Sequence, residues 1–149
     1  MKANSGSSSF GQNFREGLLQ TNSIDSIFTI FGIYSKYMQI IAKPTLLVQL
    51  WESREIDFVE MMKIVVDIQQ EILAIDGDMH ADLEKLMLEN GSHQQDLWGA
   101  NVYPMKDTCD RIEFTSFINI RPSQGNRNME VQNDGIKSLI RSVVDKLLV

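Results

Sequence analysis

The sequence predicts an α+β domain: a mostly antiparallel sheet of about four to five strands with two or three helices packed on one of its faces. Three observations lead there. Runs rich in β-branched residues, such as "MKIVVDI" at 62–68, stand between stripes of apolar residues at helical spacing. Neighbouring strand candidates are joined by a tight turn or by an acidic loop long enough for an antiparallel return. A length of 149 residues suits one domain whose core needs no disulfide or metal.

The elements follow in chain order. "QIIA" (39–42) is a short strand. Pro44 suits the first turn of a helix that presents Leu46, Leu47, Leu50 and Trp51 on one face and ends near Arg54. Residues 62–68 form a buried strand, and "EILAI" (71–75) is its hairpin partner across Gln69 and Gln70, a turn without glycine. In "GDMHADLEKLMLENG", Met79, Leu83, Leu86 and Met87 make a helical stripe. Asp78 is the expected N-cap, and Asn90-Gly91 the stop. "DLWGANVY" (96–103) reads as a strand ended by Pro104. Residues 111–120 read as another, with Ile112, Phe114, Ile118 and Ile120 on one face. From Asp134 the apolar residues Ile136, Leu139, Ile140, Val143, Val144, Leu147 and Leu148 trace an amphipathic helix.

The domain is expected to occupy 38–149. Residues 1–37 are expected to be a disordered or non-domain N-terminal extension, since "MKANSGSSS" is polar and of low complexity. The apolar stretch "IDSIFTIFGI" is too short to span a bilayer and is interrupted by Asp25 and Gly32. It also lacks the flanks and cleavage site of a signal peptide.

The net charge is −6, which argues against nucleic acid, where affinity comes from neutralising phosphates. One cysteine, Cys109, rules out an internal disulfide. With only two histidines beside it, no dense zinc motif can be assembled, so neither metal nor cofactor is expected. A lone thiol and the absence of a span fit a cytoplasmic protein.

The chemistry-bearing stretch is "INIRPSQGNR". Arg121 and Arg127 offer planar forks of donors suited to phosphate or carboxylate. Gly125 and Asn126 tolerate the positive φ that lets backbone N–H groups approach an anion. Asn119, Ser123 and Gln124 add hydrogen-bonding groups, and Trp98 beside Gly99 could set an indole against open backbone. The opposing reading is internal: from residue 38 onward there are 18 Asp and Glu against 11 Lys and Arg, so each arginine has acids of its own to pair with. In "DGDMHAD", Asp78 and Asp82 flank His80 and could serve acid–base chemistry. Asp78 and Asp82 share a helical face from which His80 points away, so a capped helix start explains the same residues.

Taken in order, "VVDI", "MHAD", "ENGS", "DLWGANVYP" and "INIRPSQGNR" resemble an uncharacterised prokaryotic family known only as a domain of unknown function (DUF5674-like). The resemblance covers about Met38 to Val149. It implies one compact domain beginning near Met38, draws attention to His80, Asp82, Trp98, Asn119, Arg121, Asn126 and Arg127, and implies no reaction.

Two expectations result. In the first, a small bacterial cytoplasmic domain binds an anionic, phosphate-bearing molecule through Arg121 and Arg127. Asn119, Ser123, Gln124, Asn126 and Trp98 orient it, and any catalysis falls to His80 with Asp78 or Asp82. In the second, the domain is a non-catalytic protein–protein or homo-oligomeric module, and the arginines pin the loop to the sheet.

Overall fold

The computed structural model describes residues 37–54 and 60–149. The extension expected at 1–37 falls, except for Tyr37, outside the described residues. Five strands, β1 (Gln39–Ile41), β2 (Met62–Asp67), β3 (Ile72–Ile75), β4 (Leu97–Val102) and β5 (Ile112–Glu113), form one sheet in the order β1-β3-β2-β4-β5. Every pairing is antiparallel. Among the described residues three helices, α1 (Leu47–Ser53), α2 (His80–Glu89) and α3 (Asp134–Leu147), complete the α+β architecture.

The helices do not share one face, and the sequence of the central strands explains why. Residues of β2, β3 and β4 are apolar on both sides of the pleat, as in "IVV" and "LAI", so both faces must be covered. Ile64, Val66, Leu73, Ile75, Trp98, Ala100 and Val102 pack with Leu47 and Leu50 of α1 and Ile140, Val143, Val144 and Leu147 of α3. The alternate residues Val65, Ala74 and Leu97 pack with Leu83 and Met87 of α2. Burying each of those two helix side chains contributes roughly 1.5–3 kcal/mol.

The β2–β3 hairpin needs no glycine because Asp67 does the turning. Its Oδ1 accepts from Gln69 N at 2.9 Å and Gln70 N at 2.8 Å, and its Oδ2 accepts from Gln70 Nε2 at 3.0 Å. The turn is therefore longer than the two residues expected, and Glu71 takes a left-handed φ of 55°. Pro44 does not open α1. Thr45 instead runs beside Leu148, where its N–H donates to Leu147 O at 2.8 Å, and Leu47 N donates to Val149 O at 2.9 Å. Carbonyls at and just past the end of α3 thus take up N–H groups at and just before the start of α1. Asn133 caps α3 by accepting from Ile136 N at 3.2 Å. Asp78 caps nothing. Met79 holds the N-cap position of α2 without a side-chain bond, and Asp78 is exposed.

The strand expected at 111–120 ends after Glu113. Ser116 Oγ accepts from Ile118 N at 3.4 Å and curls the chain into a 3₁₀ turn at Phe117–Asn119, with a second at Pro122–Gln124. The expected common face is lost. Ile112 and Phe114 pack on the α1/α3 side, Ile118 on the α2 side, and Ile120 is exposed. No helix among the described residues is long and apolar enough to cross a membrane.

Candidate functional site

Two buried asparagines build the 117–128 loop. Asn119, fully buried, stands beside β4 just past the short β5. Its Oδ1 accepts from Gly99 N at 2.8 Å and its Nδ2 donates to Gly99 O at 2.9 Å, so a side-chain amide continues the sheet ladder that β5 abandons. Only glycine permits this approach, because a Cβ on residue 99 would lie 2.5 Å from Ser116 Cβ. The open backbone expected beside Trp98 is therefore closed by Asn119. Asn126 ties the far end. Its Nδ2 donates to Asn119 O, Asn128 O and Glu130 O at 2.8, 2.8 and 3.1 Å, and its Oδ1 accepts from Gln132 N at 2.8 Å. Arg121 and Asn126 also exchange backbone hydrogen bonds across the loop, and Gly125 supplies the left-handed residue between them at φ 79°.

Arg121 points inward. Its side chain is 9% exposed, and its Nη2 lies 2.8 Å from Oε1 of Glu84 on α2. Its Nε donates to Ile118 O at 2.9 Å, and its Nη1 to Gln94 O and, at 3.5 Å, to Gln124 Oε1. Burial pulls its pKa down and Glu84 opposes that shift, so the guanidinium remains a cation with an internal counterion. Arg127 differs: it is exposed and forms no ion pair among the described residues. Ser123 and Gln124 are exposed as well, and Gln124 Nε2 donates to Gln95 O at 3.0 Å.

The braced loop separates two concavities. On its outer side an open cleft of about 560 Å³ runs between Glu84, Gln94 and Gln95 and the loop residues Ile118, Ile120, Arg121 and Pro122, with Phe117 on its rim. Phe117 is 77% exposed and Ile120 44%. On its inner side a smaller pocket, about 280 Å³, lies between Gln124, Gly125 and Asn126 and the start of α3, with Trp98 and Ile136 in its wall.

The histidine motif meets β4 one residue beyond the Asn119 contact. His80 Nε2 sits 2.9 Å from Ala100 O. A carbonyl only accepts, so Nε2 carries the proton of the neutral ring. Burial lowers the pKa of His80, opposed by the bond to Ala100. No hydrogen bond joins His80 to Asp78 or Asp82. The structure instead places Asn101 and Glu113 near it: Glu113 Oε2 accepts from Asn101 Nδ2 at 2.8 Å and from Tyr103 Oη at 3.2 Å. Lys63 pairs in register with Asn101 on the neighbouring strand. These four residues were missed. The available signal was the spacing of Asn101 and Tyr103, two polar groups two apart in the strand expected at 96–103 and so on one face. Among the described residues no group of three or more His, Cys, Asp or Glu is placed to hold a metal.

Residues 39–147 match the family model described as "Protein of unknown function (DUF5674)". No curated protein and no solved structure matches the chain.

Proposed function

Since the chain belongs to the DUF5674 family of unknown function, we propose from the site itself that it is a non-catalytic interaction module, pairing with a second copy through the outer face of the 117–128 loop. One observation carries this reading. The donors of Arg121 go to Glu84, Gln94 and Ile118, so the cation best placed to take a ligand instead braces a loop that holds Phe117 and Ile120 in solvent. The same patch offers a projecting ring and an open cleft floored by Ile118, Ile120 and Pro122. A two-fold axis would let each Phe117 enter the other copy's cleft, the self-complementary arrangement of an isologous dimer. Exposed aromatic anchors are the usual centres of such contacts. Glu84 is neutralised by Arg121, so two chains of net charge −6 would meet there without local repulsion.

A second reading keeps the anionic ligand and rests on Arg127, whose guanidinium is exposed and without an ion pair among the described residues. In either reading the setting is the reducing cytoplasm of a bacterial cell, in keeping with the single, exposed Cys109.

Sedimentation equilibrium over a wide concentration range tests the first reading. The native chain is expected to approach twice its monomer mass of 17.0 kDa, while Phe117→Asp, folded by circular dichroism, stays monomeric. A native chain that remains monomeric throughout overturns it. Stabilisation by inorganic phosphate that disappears in Arg127→Ala would favour the second reading.

A further inference from the structure

We infer that the inner pocket is a binding site for a small, neutral, planar molecule bearing a carbonyl group, which accepts a hydrogen bond from Trp98 Nε1. The inference is independent of the proposed self-association, which uses the other side of the loop. Trp98 is 1% exposed, and its indole N–H is a buried donor with no acceptor among the described residues. Buried indole donors ordinarily find a partner, because an unsatisfied one forfeits its hydration without return. The indole forms part of the wall of the 280 Å³ pocket, and that pocket is the space the inference assigns to its missing acceptor.

The rest of the wall defines the ligand. Gln124, Asn126, Gln132 and Asn133 contribute carboxamides, Ile136 an aliphatic surface, and no charged side chain lines the pocket. The Asn126 amide is consumed by the loop, the Gln124 amide by Gln95 and Arg121, and Asn133 Oδ1 by the α3 cap. Asn133 Nδ2 and the exposed Gln132 amide remain to pair with a ligand edge. Carboxamides present a donor and an acceptor side by side, the pattern complementary to an amide or imide edge. An anion would find no cation in this wall. The volume lies just below the usual range for drug-sized ligands, which limits the guest to roughly one ring.

The test is a titration of the full-length ¹⁵N-labelled protein with uracil as the probe, read at the indole N–H of Trp98. Trp51, which does not line the pocket, supplies an internal control, and Trp98→Phe assigns the two signals. Uracil is expected to move the Trp98 indole signal saturably in the millimolar range and to leave that of Trp51 in place. Gln132→Ala, an exposed position whose loss leaves the fold intact, should weaken binding by roughly threefold to tenfold, the worth of one hydrogen bond. Three outcomes would overturn the inference: a Trp98 signal unmoved by uracil, a shift equal in the native and Gln132→Ala proteins, or a response to benzoate and none to uracil.

Discussion

Removing the Arg121 side chain leaves Glu84, only 15% exposed, without its counterion and strips donors from the carbonyls of Ile118 and Gln94. Breaking such a pair from one side costs about 3–5 kcal/mol, whereas replacing both members by apolar groups costs far less. Arg121→Ala is therefore expected to lower the unfolding free energy by about that amount in urea denaturation, and Arg121→Met with Glu84→Met to restore most of it. His80 makes a separate prediction. Burial depresses its pKa in the folded state, so the fold favours the neutral ring. Its contribution is then complete above the ordinary histidine value of about 6.5 and is lost as pH falls through the lower folded value. Stability should drop on acidification from about pH 7 to 5, and His80→Gln should flatten that slope, as urea midpoints measured across the range would show. The sequence singled out Arg121, Asn119, Asn126 and His80, yet their partners were not legible. Glu84 lies 37 positions from Arg121 in the chain. A surplus of acids indicates that a counterion exists without indicating which one folding brings near.

At the scale of elements, legibility followed the strength of the local signal. α2 and α3 were readable from apolar stripes, and the Asn90-Gly91 stop is realised with Gly91 at φ 96°. The strand expected at 111–120 failed because side chains outcompeted the ladder. Ser116 turns the chain and Asn119 lends its amide to Gly99, and neither act leaves a mark in hydrophobic periodicity. The β2–β3 hairpin was legible, but the part of Asp67 in its turn was not, since the carboxylate replaces the glycine that turn statistics look for. The Gly99–Asn119 junction can be tested directly. Gly99→Ala forces a Cβ to within 2.5 Å of Ser116 Cβ and should destabilise by about 1–3 kcal/mol in thermal or urea unfolding. Adding Ser116→Gly should recover part of the loss, since it removes the opposing atom.

For the whole molecule, the α+β class and the single sheet were legible, but the second helical layer was not. Strands apolar on both faces could have announced it, because one solvated face would have required alternating polar residues in β2 and β3. Covering both faces matters for the proposed function, since large apolar side chains of the 117–128 loop still project beside a cleft. Phe117 and Ile120 stand there on a scaffold fixed by Arg121, Asn119 and Asn126, so the surface they form is pre-organised and its pairing would cost little ordering entropy. The central claim is that this surface meets its own copy. The most direct measurement is an isotope-filtered nuclear Overhauser experiment on an equal mixture of ¹³C-labelled and unlabelled chains. Cross-peaks are expected between the Phe117 ring of one copy and the Ile118, Ile120 and Pro122 side chains of the other. Absence of those cross-peaks at a concentration where sedimentation reports dimer would contradict it.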